Sequence, residues 1–232
     1  MEGLFHEKVV VCESDTDCRI FAAIVEAITP ADARSPDLMF THCGGKQRMP
    51  VVAAALQRIG VTAIAIVDFD FLRDLGDVER LVSTMGGNFG EILEPLKRIG
   101  AAMQSSNAKR TRAQVKTELE EVFDSAGDGP FDKKIRSALV EVLKTPSLWK
   151  GAKSHGIGML RGDDYQRCVD VIQLLSKWGI WVLPNGEVEA YCKSVGKHGE
   201  RWVGEVLSRK DLAADGELRE LREFVSAAIL GR

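Results

Sequence analysis

Short apolar runs alternate with segments whose apolar positions recur every three or four residues through the first third of the chain. Lys8-Val-Val-Val-Cys12 is β-branched and too short for a helix, so it predicts a strand. It stops at Glu13-Ser-Asp-Thr-Asp17, a stretch rich in helix-capping residues. Ile20, Phe21, Ile24, Val25 and Ile28 then fall on one helical face over about 16–28, and Pro30 stops that helix. A second strand is predicted at Leu38–His42, followed by the loop Cys43-Gly44-Gly45-Lys46 and a helix over about 50–59 with Gly60 as its C-cap. Val61–Val67 is apolar on both faces, as a central parallel strand covered by helices must be, and it ends at Asp68-Phe69-Asp70.

From about 76 to 175 the pattern is helical, with charged faces, no strand signal and the loop punctuation Gly127-Asp-Gly-Pro130. Gln114–Phe123 and Lys133–Leu143 have amphipathic helical spacing. Strand character returns at Gly179–Leu183, closed by Pro184-Asn-Gly186, and about 187–229 is helical again. These elements predict an α/β fold, a central mostly parallel sheet flanked by helices and interrupted by a helical insertion domain. The boundaries fall at 1–75 for the first part of the sheet domain, 76–175 for the insertion and 176–232 for the second part with C-terminal helices.

Composition narrows the class. The 232 residues are 45% hydrophobic and 28% charged, as in ordinary soluble globular proteins, with neither a membrane-length apolar run nor the pattern of a signal peptide. A cytoplasmic location and no membrane partner are expected. The cysteines Cys12, Cys18, Cys43, Cys168 and Cys192 form no CxxC pair, and their odd number prevents full disulfide pairing, so buried thiols are expected rather than a zinc site. The net charge of −3 does not announce a nucleic-acid binder. Any such contact must come from a local basic patch or from cations that offset clustered acids.

Acids do cluster at the predicted strand ends: Glu13 with Asp15 and Asp17, Asp68 with Asp70, and Glu187 with Glu189. The carboxyl ends of parallel strands share one edge, where such sheets bind ligands. Asp68 and Asp70, two apart on an extended chain, are expected to face one site while Phe69 turns away. Crowded carboxylates repel unless they are protonated or share cations, and hard oxygen ligands suit Mg²⁺ or Mn²⁺. The chemistry this supports is phosphoryl transfer with paired divalent ions. Taken singly, each acid has a second reading as a helix cap or a first-turn residue favoured by the helix dipole.

Val11-Cys-Glu13-Ser-Asp-Thr-Asp17 resembles the first motif of Toprim domains, and Ile66-Val-Asp68-Phe-Asp70 resembles their DxD strand. Gly44-Gly45-Lys46, the long helical segment after the DxD strand and Val182-Leu-Pro-Asn-Gly-Glu-Val-Glu-Ala-Tyr191 are similar to the OLD (overcoming lysogenization defect) family in particular. That resemblance implies a Toprim fold and a metal-dependent DNA endonuclease or nickase. It implies Glu13, Asp17, Asp68, Asp70 and Glu189 as ligands of two Mg²⁺ or Mn²⁺ ions, with Asp15 and Glu187 ranked lower. Ser14 stands where the motif carries glycine. OLD proteins place an ATPase domain before the Toprim, and GxxxxGK[ST] does not occur here, so the resemblance implies the C-terminal region of a longer protein, ATP binding in the missing domain, and a possible homodimer.

Lys197 matches a lysine that OLD nucleases hold near their metals, which implies a transition-state stabiliser acting with Glu13 and Asp68 as the catalytic group. Lys46 is a candidate for phosphate positioning, and Lys109, Arg110 and Arg112 for the DNA backbone. His42 and His198 are expected in packing or solvent, and Trp149, Trp178, Trp181 and Trp202 in the core. Ribonuclease activity and a non-catalytic nucleic-acid binding or assembly module stay open as alternatives. A topoisomerase would need a nucleophilic tyrosine, for which the chain offers only Tyr165 and Tyr191, and a primase its zinc ribbon.

Overall fold

The computed structural model describes residues 6–104, 112–126, 130–143, 149–196 and 198–231. The Gly127–Gly129 part of the predicted loop lies outside them. Four strands form one sheet in the order β2-β1-β3-β4, every neighbouring pair parallel. They are β1 (Lys8–Cys12), β2 (Leu38–His42), β3 (Ala63–Val67) and β4 (Ile180–Val182). β3 occupies the centre, with Val9–Val11 of β1 in register with Ala63–Ala65 on one side and β4 pairing Ala65–Val67 on the other. The chain therefore begins the sheet with three strands and completes it more than a hundred residues later, as the interrupted pattern predicts.

Alternate residues of each strand enter opposite cores. Val9, Val11, Ala65, Val67, Ile180 and Val182 pack against helices α2 (Met49–Arg58), α3 (Leu75–Thr84), α4 (Gly90–Gln104) and α8 (Gly162–Lys177). Val10, Cys12, Ile64 and Ile66 pack against α1 (Asp15–Ile28), α9 (Glu200–Arg209) and α10 (Arg219–Val225). Covering both faces explains why β1 and β3 carry no polar residue between their ends. All five cysteines are buried and unpaired. Trp149 and Trp202 are buried, while Trp178 and Trp181 are partly buried against the two cores.

The helices between β3 and β4 divide into two groups. α3, α4 and α8 bury Val78, Leu81, Leu96, Ile99 and Leu175 against the sheet. α5 (Arg112–Ala126) and α6 (Lys133–Leu143) pack on each other, and no described residue of either is buried. α7 (Trp149–His155) returns to the sheet and docks beside the loop after β4. Its carboxyl end is held by backbone bonds from Glu187 N to Lys153 O at 2.8 Å and from Ile157 N to Pro184 O at 2.8 Å. Trp149 meets Phe69 with ring centroids 6.1 Å apart. Among the described residues no helix is long and apolar enough to cross a membrane.

The approach of α7 to this loop leaves no space for a side chain at Gly186, where φ is +117° and a Cβ would stand 2.0 Å from Lys153 O. Gly186→Ala must open that contact or break the backbone bonds around it. The expected loss is about 3 kcal/mol, a fall in thermal midpoint of roughly 6–12 °C in a chain of this size, measured by circular dichroism.

Candidate metal centre

Three short connections at the carboxyl edge of the sheet build the site. The first follows β1. Ser14 caps α1: its hydroxyl accepts from Asp17 N at 3.2 Å, and the Asp17 carboxylate accepts from Ser14 N at 2.9 Å, completing a capping box. Ser14 adopts φ −129° and ψ 163°, an extended conformation open to any residue, so the serine supplies the cap without straining the turn. Glu13, one residue earlier, is left directed along the edge, and its Oε1 accepts from Asp68 N at 3.4 Å.

The second connection follows β2. Gly44 and Gly45, both at positive φ, donate their N–H groups to Glu13 O at 3.1 Å each, fixing the Glu13 backbone from the neighbouring strand. The turn then delivers Lys46, whose Nζ lies 3.1 Å from Asp70 Oδ1 and 3.3 Å from Asp70 O. His42, at the end of β2, is exposed.

The third follows β3, and here the structure corrects the sequence argument. β3 ends at Val67, and Phe69–Arg73 is a 3₁₀ turn, so Asp68 and Asp70 are not alternate residues of an extended strand. They converge because the turn curls Asp70 back over the edge, while Phe69 is buried against Trp149 and donates its N–H to Gly186 O at 2.8 Å. Carboxylate oxygens of Glu13, Asp68 and Asp70 lie within 4.8 Å of one another.

After β4, Glu187 and Glu189 flank the group. Glu187 pairs with Lys153 Nζ at 3.9 Å and His198 Nδ1 at 3.6 Å, and Glu189 Oε1 accepts from Gly199 N at 2.8 Å. A cavity of about 290 Å³ opens beside them, lined in part by Ser154, His155, Lys193 and His198. Asp15 is exposed on the first turn of α1 and outside the three-acid group, and Arg112 is exposed at the start of α5. Lys197, Lys109 and Arg110 lie outside the described residues.

The electrostatics show a site short of positive charge. Burial pushes Glu13 from 4.5 up to about 7, with Asp70 adding repulsion that Lys46 only partly offsets. Asp68 is raised well above the carboxylate range by burial and then by Glu13, Asp17 and Asp70. Asp17 is raised by burial against the counter-effect of its bonds to Ser14, with Glu189 adding to the rise. Glu187 is raised by burial and Glu189, more than Lys153 and His198 lower it. Glu189 and Asp17 therefore join the cluster electrostatically, beyond the three acids in closest contact.

Lys153 carries no motif signal and was not legible in the sequence. Burial disfavours its charge, yet Asp70, Glu187, Asp68 and Glu13 together outweigh this and hold the ammonium above its ordinary range. It reaches the acids from α7, a helix that only the tertiary fold brings to the edge.

A parallel sheet with helices on both faces and a carboxylate group at the carboxyl ends of β1 and β3 is a Toprim-type arrangement. Residues 4–70, which hold β1 to β3 and Glu13, Asp17, Asp68 and Asp70, match the family described as Overcoming lysogenization defect protein-like, TOPRIM domain. This stretch is similar to OLD-like Toprim domains. Neither the curated proteins nor the solved structures compared with the chain provide a match.

A carboxyl whose pKa is raised on folding holds its proton more tightly in the folded chain, so the stability Glu13 contributes is full below about pH 4.5 and is lost as pH rises from there through about 7. Glu13→Gln is expected to flatten the fall in the metal-free thermal midpoint between about pH 4.5 and 7. Because a cation must displace the same proton, Mn²⁺ affinity measured by calorimetry is expected to weaken by up to about tenfold per pH unit below 7.

Proposed function

We propose that this chain hydrolyses phosphodiester bonds in DNA with two divalent cations held at the carboxylate edge, as the catalytic region of an OLD-type nuclease. The observation that carries the reading is the convergence of Glu13, Asp68 and Asp70 within 4.8 Å in surroundings that raise Glu13 and Asp68. Hard oxygen donors with too little positive charge around them fit Mg²⁺ or Mn²⁺. The OLD-like Toprim match over these same residues supports a metal-binding module that acts on nucleic acid.

In this reading Glu13, Asp68 and Asp70 hold one ion, and Asp17, Glu189 and Glu187 complete the second site. Bound there, the pair lowers the pKa of water and offsets charge on the attacking and leaving oxygens. The chain's own part is placement. The Gly44-Gly45 clasp and the Asp68 N–H fix Glu13, the 3₁₀ turn fixes Asp70, and Gly199 N–H fixes Glu189. Lys46, anchored to Asp70, sets that carboxylate and is positioned to meet a phosphate oxygen. Lys197 stays assigned as a transition-state stabiliser through the resemblance of its segment, with Lys109, Arg110 and Arg112 as backbone contacts and an ATPase domain as partner.

Supercoiled plasmid is expected to be nicked and then linearised in Mn²⁺ or Mg²⁺, and left intact in EDTA. Glu13→Gln and Asp68→Asn are expected to lower the rate at least about 10²–10³-fold, the range typical for removing one strong electrostatic contributor. Plasmid left intact at high protein with either ion would overturn the catalytic reading in favour of a binding module. Cleavage of RNA but not DNA would redirect it to a ribonuclease.

A further inference from the structure

Among the described residues, the helical segment between β3 and β4 brings Lys153 to the acidic edge, and its setting differs from that of Lys46. Lys46 is clamped: its ammonium contacts both the carboxylate and the carbonyl of Asp70, and its side chain is 20% exposed. Lys153 is 55% exposed, its ion pair among the described residues is a long 3.9 Å contact to Glu187 Oε2, and its charge is also felt by Asp70, Asp68 and Glu13.

The backbone beneath Lys153 is fixed. Its carbonyl accepts from Glu187 N at 2.8 Å, Gly186 packs against that carbonyl without room for a Cβ, and Ile157 N reaches Pro184 O at 2.8 Å. A rigidly placed Cα with a flexible four-carbon stem delivers a point charge over a short radius. Ser154 and His155, the next residues, line the cavity beside Glu187 and Glu189, so this charge stands where open space meets the acids.

We propose that Lys153 is a phosphate-contacting catalytic residue: it neutralises the acidic edge in the metal-free protein and grips a non-bridging oxygen of the scissile phosphate once cations occupy that edge. This rests on the nuclease reading above. The physical reason is a change of partner. Cations at the carboxylates cancel the attraction that holds the ammonium there, and the phosphodiester becomes the nearest anion that still lacks a counter-charge. Lys46 keeps its two contacts to Asp70 and undergoes no such change of partner.

The test uses the full chain as wild type, Lys153→Met and Lys153→Arg. Three quantities are read: Mn²⁺ affinity by calorimetry, binding of a short duplex oligonucleotide in Ca²⁺ by fluorescence anisotropy across a salt series, and plasmid cleavage in Mn²⁺. Lys153→Met is expected to keep or tighten Mn²⁺ binding, to lower the slope of log affinity against log salt by about 1, and to reduce kcat about 10²-fold. Lys153→Arg is expected to restore the slope and part of the rate.

Wild-type salt slope and wild-type rate in Lys153→Met would overturn the proposal while leaving the nuclease reading intact. A slower rate with an unchanged slope and weakened Mn²⁺ binding would also overturn it, making Lys153 a support for Glu187. Failure of the wild-type protein to bind or cut DNA would defeat the reading of the site itself, and the role of Lys153 with it.

Discussion

Carboxylates packed at the edge of a parallel sheet repel one another, and much of this structure is organised around that repulsion. β1 and β3 are neighbours and run the same way, so Glu13, just past β1, and Asp68, just past β3, leave the sheet at the same edge, where the Asp68 N–H donates to Glu13 Oε1 at 3.4 Å. The third acid, Asp70, is brought over them by a 3₁₀ turn whose Phe69 is locked in the core. Burial then removes the water that would otherwise screen these charges. Burial, with repulsion from Asp70, pushes Glu13 up to about 7, so this carboxyl holds its proton at pH values where an ordinary one has lost it. Acids held together in this way form a group that a bound cation would stabilise.

The backbone of the site is assembled by contacts from several strand ends. The Gly44-Gly45 turn after β2 grips the Glu13 carbonyl, the Asp68 N–H bonds the Glu13 carboxylate, and Gly186 after β4 receives the Phe69 N–H. Each connection orients an acid belonging to another strand, so the donor set exists only when β1, β2, β3 and β4 have all paired. Because β4 follows a long helical segment, the edge closes last in chain order, and α7 closes with it. Close packing of α7 on the Gly186 loop therefore brings Lys153 to the acids by the same contacts that complete the sheet.

Much of this was legible along the chain. β-branched runs stopped by acids predict β1 and β3, the 3.6-residue periodicity predicts α1 and α2, and the apolar Gly179–Leu183 stretch predicts a strand that returns after the helices. Glu13, Asp68 and Asp70 follow from one rule, that parallel strands end along a common edge. The Asp68–Asp70 convergence was expected for the wrong reason, since periodicity in sequence does not distinguish a strand that continues from one that curls into a 3₁₀ turn. The capping box of Ser14 and Asp17 shows how one acid serves two ends: it secures the start of α1 and adds its charge to the cluster.

Local patterns determined the elements and the chemistry available at their ends, because strand and helix periodicity, caps and the hardness of oxygen ligands are properties of near neighbours in the chain. Tertiary structure alone decided which charges face each other and how strongly. Glu187, Lys153 and His198 lie on separate elements and meet only through the packing of α7 and the β4 loop. The pKa of Glu13 depends on burial and on Asp70, neither of which is fixed by the residues beside it. Electrostatic energy varies with distance through space and with access to water, and these are set by the fold rather than by position along the chain.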